Sequence, residues 1–321
     1  MEQTMKVNFN IVLTVFLLLV IALGACSPAP TRPAQAGIKV LATETFLADI
    51  AQNVAGERVK IESLVPIGLD PHAFEPTPQD VRKIAGSDVL IVNGAGFEGW
   101  LEKTLENAGG QRQVIEASAG LAMREPAESE NAHEHEGEEE TGHEHEGDPH
   151  FWLDPNNVIK YVENIRDGLI AADPDGKSAY TQNAAGYIAK LTELDDWIKT
   201  QVDQIPAGRR LIVTNHESFG YFADQYGFKI IGTVIPSVSS GASPSAQELA
   251  ELVDHIRETD AIALFLETGA SPKLAEQIAA ETGIKVVSEL YTHSITNADG
   301  KAPTYIDMMK HNVNMMVEAL K

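Results

Sequence analysis

The chain has 321 residues, 43% of them hydrophobic, with 24 lysines and arginines against 47 aspartates and glutamates and a formal net charge of −23. The phosphates of a nucleic acid repel such a surface, which excludes that class of partner. The length suits two domains, and a single cysteine, Cys26, excludes both an internal disulfide and a thiolate zinc cluster.

At the N-terminus Lys6 precedes an apolar run over residues 11–23, followed by Leu23-Gly24-Ala25-Cys26. A basic start, a short apolar stretch and small residues before a cut site make a secretory signal peptide over residues 1–25. The run falls short of the ~20 residues that span a bilayer. A cysteine directly after Leu-Gly-Ala resembles the bacterial lipobox, in which the thiol takes a diacylglyceryl group and becomes the new N-terminus. Residues 26–36, with three prolines, read as a tether. The expected location is extracytoplasmic, anchored to the cell membrane by a lipid on Cys26.

Two stretches then alternate short β-rich runs with helical ones. Strands are predicted at 38–43, 59–65, 88–93 and 113–117, and again at 211–215, 229–235, 261–267 and 285–290. This alternation predicts an α/β fold of mainly parallel sheets flanked by helices. Thr77-Pro78-Gln79-Asp80 and Ser245-Ala246-Gln247-Glu248 carry helix-start signals, Ser271-Pro272 opens another helix and Gly283 can close it. Between the halves, Leu191, Leu194 and Ile198 recur at helical spacing with no proline until Pro206, which predicts one long, stiff helix. The expected organisation is an N-terminal lobe at 37–172, a linking helix at 173–206 and a C-terminal lobe at 207–321.

Residues 124–148 break the pattern. They hold His133-Glu134-His135 and His143-Glu144-His145 among glutamates and glycines. Such a segment has no apolar periodicity with which to bury a core, so it reads as disordered, and its alternating histidine and glutamate as a weak metal collector.

Four further histidines fall where a strand gives way to a loop or helix, or in a short motif beside one: His72, His150, His216 and His293. Ligands of open α/β sheets gather at the carboxyl ends of strands. The spacings match no local zinc signature, so the residues alone leave a four-histidine site and four unrelated histidines both open.

The motifs around them go further. Asp70-Pro71-His72-Ala73-Phe74-Glu75-Pro76-Thr77, Asp148-Pro149-His150-Phe151-Trp152-Leu153-Asp154-Pro155, the run from Thr214 through His216 to Tyr221-Phe222, and Glu289-Leu290-Tyr291 resemble the metal-binding solute-binding proteins of ABC importers, the zinc and manganese group also called cluster A-I. The likeness covers the chain from about Ile38 onward. It implies two lobes joined by one long backbone helix, with a metal ion in the cleft between them. His72, His150 and His216 take the first three ligand places. The fourth is usually aspartate and here is His293, so the implied set is four imidazoles, which suit zinc ahead of manganese. Asp70, Asp154 and Glu267 are expected behind the imidazoles as hydrogen-bond acceptors. The implied protein is a monomer that is not an enzyme. It carries zinc to an ABC permease in the membrane, with the segment bearing His133, His135, His143 and His145 as an auxiliary collector. A zinc hydrolase would need an open metal position and a base, for which only Glu217 stands nearby in sequence; an adhesin has no feature here that supports it.

Overall fold

The computed structural model describes residues 37–124 and 147–321. The signal segment, Cys26 with its tether, and His133, His135, His143 and His145 lie outside the described residues.

In the first half, β1 (Val40–Ala42), α1 (Thr45–Ala55), β2 (Ile61–Ser63), α2 (Pro78–Ala85), β3 (Val89–Val92), α3 (Leu101–Ala108), β4 (Gln113–Glu116) and α4 (Pro155–Ala172) alternate along the chain, and α5 (Lys177–Val202) follows. The second half runs β5 (Leu211–Thr214), α6 (Gly220–Tyr226), β6 (Lys229–Thr233), α7 (Ala246–Glu258), β7 (Ala263–Glu267), α8 (Pro272–Thr282), β8 (Lys285–Leu290) and α9 (Tyr305–Leu320). Each half builds one four-stranded parallel sheet, in the orders β2-β1-β3-β4 and β6-β5-β7-β8. The two orders are the same, so both sheets reverse direction between their inner strands, β1 and β3 in one and β5 and β7 in the other. That reversal point is where open sheets offer a crevice. Most strands are a residue or two shorter than the sequence predicts.

The helix signals act as local physics requires. Thr77 and Ser245 each accept the N3 backbone N–H while the N3 carboxylate returns to the cap backbone, closing a full capping box on α2 and α7. Gly283 ends α8 in the left-handed conformation, φ 78°.

The 26-residue α5 spans about 39 Å at 1.5 Å per residue. It buries Tyr180, Ala184, Tyr187, Leu191, Leu194, Ile198 and Val202, a stripe stepping by threes and fours along one face. That face joins a core with members from both lobes: Phe46, Ile50 and Val54 of α1, Tyr161 and Ile165 of α4, and Phe265 and Leu290 beside the second sheet. From α9, Met308, Met309, Val313, Met316, Val317 and Leu320 enter the same cluster. Tyr305 at its start donates its backbone N–H to Asp49 of α1, 2.9 Å, and its hydroxyl to the Trp152 carbonyl, 2.6 Å. Each lobe keeps a smaller cluster of its own on the opposite side of its sheet. Hence the lobes are fused at the base rather than strung on a hinge.

Candidate metal centre

Asp70-Pro71-His72 and Asp148-Pro149-His150 fold alike. In each, the aspartate Oδ1 accepts the backbone N–H of the histidine two residues on, at 2.9 Å, the local turn that aspartate before proline favours. His72 is thereby fixed in the loop between β2 and α2. His150 stands just before a single helical turn, Phe151–Leu153, that leads into α4. From the other lobe, His216 follows β5 and His293 follows β8. His150 and His216 are fully buried, His293 nearly so and His72 partly.

All four rings converge. His150 Nε2 lies 3.3 Å from His72 Nε2, 3.3 Å from His216 Nε2 and 3.4 Å from His293 Nε2, and one nitrogen from each of the four lies within 4.8 Å of the others. Four nitrogens at zinc-to-imidazole distance from a common centre, tetrahedrally arranged, stand about 3.3 Å apart.

The far sides of three of the rings face acceptors. His150 Nδ1 is 2.8 Å from Asp148 Oδ1. Glu267, at the end of β7, serves two rings at once. Its Oε1 lies 2.7 Å from His216 Nδ1, a close ionic contact off the ideal hydrogen-bond direction, and its Oε2 lies 3.4 Å from His293 Nδ1. Thr292 donates to Glu267 Oε2 at 2.5 Å and sits 3.0 Å from His293 Nδ1, while Ser218 donates to Oε1 at 3.2 Å. On His150 and His293, an Nδ1–H toward these neighbours leaves the Nε2 lone pair for the common centre. Phe97 walls the site, with its ring centroid 4.8 Å from that of His72 and edge-on to it.

The three expected acceptors thus fare differently. Glu267 stands behind two imidazoles. Asp70 holds His72 through the backbone only, and its second oxygen accepts the hydroxyl of Ser240 from the opposite lobe. Asp154 takes another job: with Pro155 behind it, it is the N-cap of α4, accepting from Asn156 N at 2.9 Å and Asn156 Nδ2 at 2.8 Å. Sequence reasoning gave Asp148 no role, although the repeated Asp-Pro-His carried the signal. Tyr221 is half-buried: its hydroxyl donates to the Asp148 carbonyl and accepts the Arg124 backbone N–H, both at 2.8 Å.

Burial pulls the His72 imidazole down to about 4, with His216 adding to the effect, and pulls His150 and His293 well below the usual range. Burial pulls on His216 too, but the Glu267 charge outweighs it and leaves that ring above its ordinary value, while burial lifts the Asp148 carboxyl to about 7. Glu267 resists burial through His216 and is held near 2. A dication displaces protons from groups that face it. Loading near pH 7 is therefore expected to release about one to two protons, from His216 and Asp148, and affinity should fall as pH drops through 7 and again near 4, where His72 titrates. Calorimetry in two buffers of different ionisation enthalpy checks this; no proton release between pH 6 and 8 would contradict it.

Residues 40–319 match the family described as ZnuA, zinc-uptake complex component A, periplasmic. The chain belongs to this family of metal-binding substrate-binding proteins of ABC transporters, cluster A-I, which are transport proteins and not enzymes. It is 36% identical over 315 residues to the manganese-binding lipoprotein MntA of Halalkalibacterium halodurans, covering 98% of this chain and 99% of that protein. Among solved structures it resembles the periplasmic zinc binding protein TroA from Treponema pallidum, with a TM-score of 0.77 at 27% identity, over 88% of this chain and 99% of that one. It also resembles the Mn-bound periplasmic metal binding protein from Candidatus Liberibacter asiaticus, with a TM-score of 0.76 at 28% identity and the same coverage.

Proposed function

We propose that the protein captures Zn2+ outside the cytoplasm, holds it between the lobes on His72, His150, His216 and His293, and hands it to an ABC permease in the membrane. The carrying observation is the convergence of four imidazoles, with His150 Nε2 at 3.3, 3.3 and 3.4 Å from its three partners and no carboxylate oxygen in the group. A set of four nitrogen donors favours zinc, whereas manganese prefers oxygen. The competing outcome is manganese, which the relative from Halalkalibacterium is named for binding. Metal analysis of the purified mature protein, followed by zinc–manganese competition, decides: one tightly held zinc that excess manganese does not displace is expected, and preferential retention of manganese would refute zinc as cargo. The lipid on Cys26 belongs to the same proposal and is tested by mass spectrometry of the membrane-extracted protein.

The segment carrying His133, His135, His143 and His145 is proposed to gather zinc weakly for this centre. Its flanks are adjacent, since Asp148 donates its backbone N–H to the Arg124 carbonyl at 2.9 Å, so residues 125–146 can be excised across a short gap. Excision should lower total zinc bound at millimolar supply and leave the tight site unchanged within about threefold, as distant additive sites do. Loss of the tight site on excision would contradict this division of labour.

A further inference from the structure

In the C-terminal lobe the crevice between the inner strands holds a candidate ligand and its supporting carboxylate, His216 after β5 and Glu267 at the end of β7. Among the described residues, the equivalent crevice of the N-terminal lobe, between the ends of β1 and β3, holds no histidine. It is filled by Thr43 and Glu44 after β1 and by Asn93 and Glu98 after β3, all buried.

The hydrogen bonds there are countable. Thr43 Oγ1 lies 2.6 Å from Glu44 Oε2 and 2.8 Å from Glu98 Oε1. One hydroxyl hydrogen serves one of these oxygens, so a second hydrogen must sit on a carboxyl. Glu98 is already supplied: Oε1 accepts the Asn93 N–H at 2.6 Å and Oε2 the Gly94 N–H at 3.1 Å. Glu44 keeps one buried oxygen, Oε1, without a partner among the described residues. The hydrogen therefore belongs to Glu44, which donates to Thr43, which donates to an ionised Glu98. Burial pushes both carboxyls up, Glu98 above its ordinary value and Glu44, with the Glu98 charge added, well above it, in keeping with this order.

Glu98 in turn pins a strained turn. Gly94, Ala95 and Gly96 all have positive φ, 83°, 55° and 77°, a conformation that costs Ala95 energy. A Cβ on Gly94 would lie 2.2 Å from the Glu116 side chain. The turn delivers Phe97 beneath His72 and sets Asn93, whose Nδ2 donates to the Pro149 carbonyl at 3.1 Å, one residue before His150. Tyr161 of α4 donates to Asn93 Oδ1 and fixes the amide.

We propose that Glu98, held by Thr43 and a protonated Glu44, is a positioning residue of the metal centre, acting through Asn93 on the loop that presents His150. The inference rests on the metal-centre reading above. The test uses the mature protein with Zn2+ for affinity and Co2+ as a spectroscopic probe of ligand geometry. Glu98→Gln should weaken zinc binding roughly ten- to a hundredfold and alter the visible Co2+ bands, while the metal-free variant keeps its circular dichroism. Glu44→Gln should stay within about twofold of the parent, because an amide N–H replaces the carboxyl O–H toward Thr43. Tyr161→Phe, which removes only the hydroxyl on Asn93, should weaken zinc several-fold and shift the Co2+ bands in the same sense. A folded Glu98→Gln with parental affinity and bands overturns the proposal. If Glu98→Gln does not fold, parental affinity and bands in Tyr161→Phe overturn it and altered ones support it. A loss in Glu44→Gln equal to that in Glu98→Gln overturns the proton assignment. Failure of the parent itself to bind metal tightly would instead refute the metal centre.

Discussion

His150→Ala is expected to cost the protein roughly a hundred- to a thousandfold in zinc affinity. Zinc held by four ligands at neutral pH is worth roughly 10–16 kcal/mol, or about 2.5–4 kcal/mol for each. His150 sits at the hub, since the three Nε2 contacts of the site all run to it. Water entering the vacated place would meet Asp148 without the imidazole between them, and the ring is fully buried. Competition against a chelator of known affinity measures the loss, with the melting temperature of the metal-free variant as control. An affinity within tenfold of the parent would remove His150 from the ligand set.

The second large effect is expected at His293, where the family's usual aspartate is replaced. His293 receives support from Thr292 and Glu267 behind it, which orients its Nε2 inward. His293→Ala should open one coordination position to water, weaken zinc by about a hundredfold and speed its release. His293→Asp should retain zinc within about tenfold and raise manganese affinity relative to zinc by at least about tenfold, since a hard charged oxygen replaces a borderline nitrogen. Stopped-flow release and paired zinc and manganese titrations check both. Parental preference and release rates in the two variants would mean that His293 only lines the cleft.

Much of this was legible in the sequence because it is written locally. Thr77-Pro78-Gln79-Asp80 and Ser245-Ala246-Gln247-Glu248 cap their helices through contacts three residues apart, and the apolar stripe of α5 repeats within its own length. The meeting of His72 with His216 is not local. It depends on two sheets facing each other, and only the likeness of whole motifs to a known family anticipated it. Asp154 and Asp148 show the finer limit. Both belong to Asp-Pro pairs eight residues or fewer from one histidine-bearing turn, yet one caps a helix and the other supports an imidazole. The spacing to a histidine does not decide it alone, since Asp70, also two residues before a histidine, holds only the backbone of His72. Glu98 and Glu44 were silent in sequence because nothing in a glutamate among loop residues reveals that it will be buried and share a proton.

The placement of α9 also bears on how the molecule comes into being. Both sheets are encoded before it, yet its methionines and valines complete the core beneath each of them. A nascent chain that has already emitted every strand still exposes the floor of the first lobe. The core of the N-terminal half is thus completed by an element that follows every strand, in contrast to chains whose domains bury their cores one by one as they emerge. For a polypeptide proposed to act outside the cytoplasm, the apolar floor of both sheets is covered only once α9 has followed the last strand.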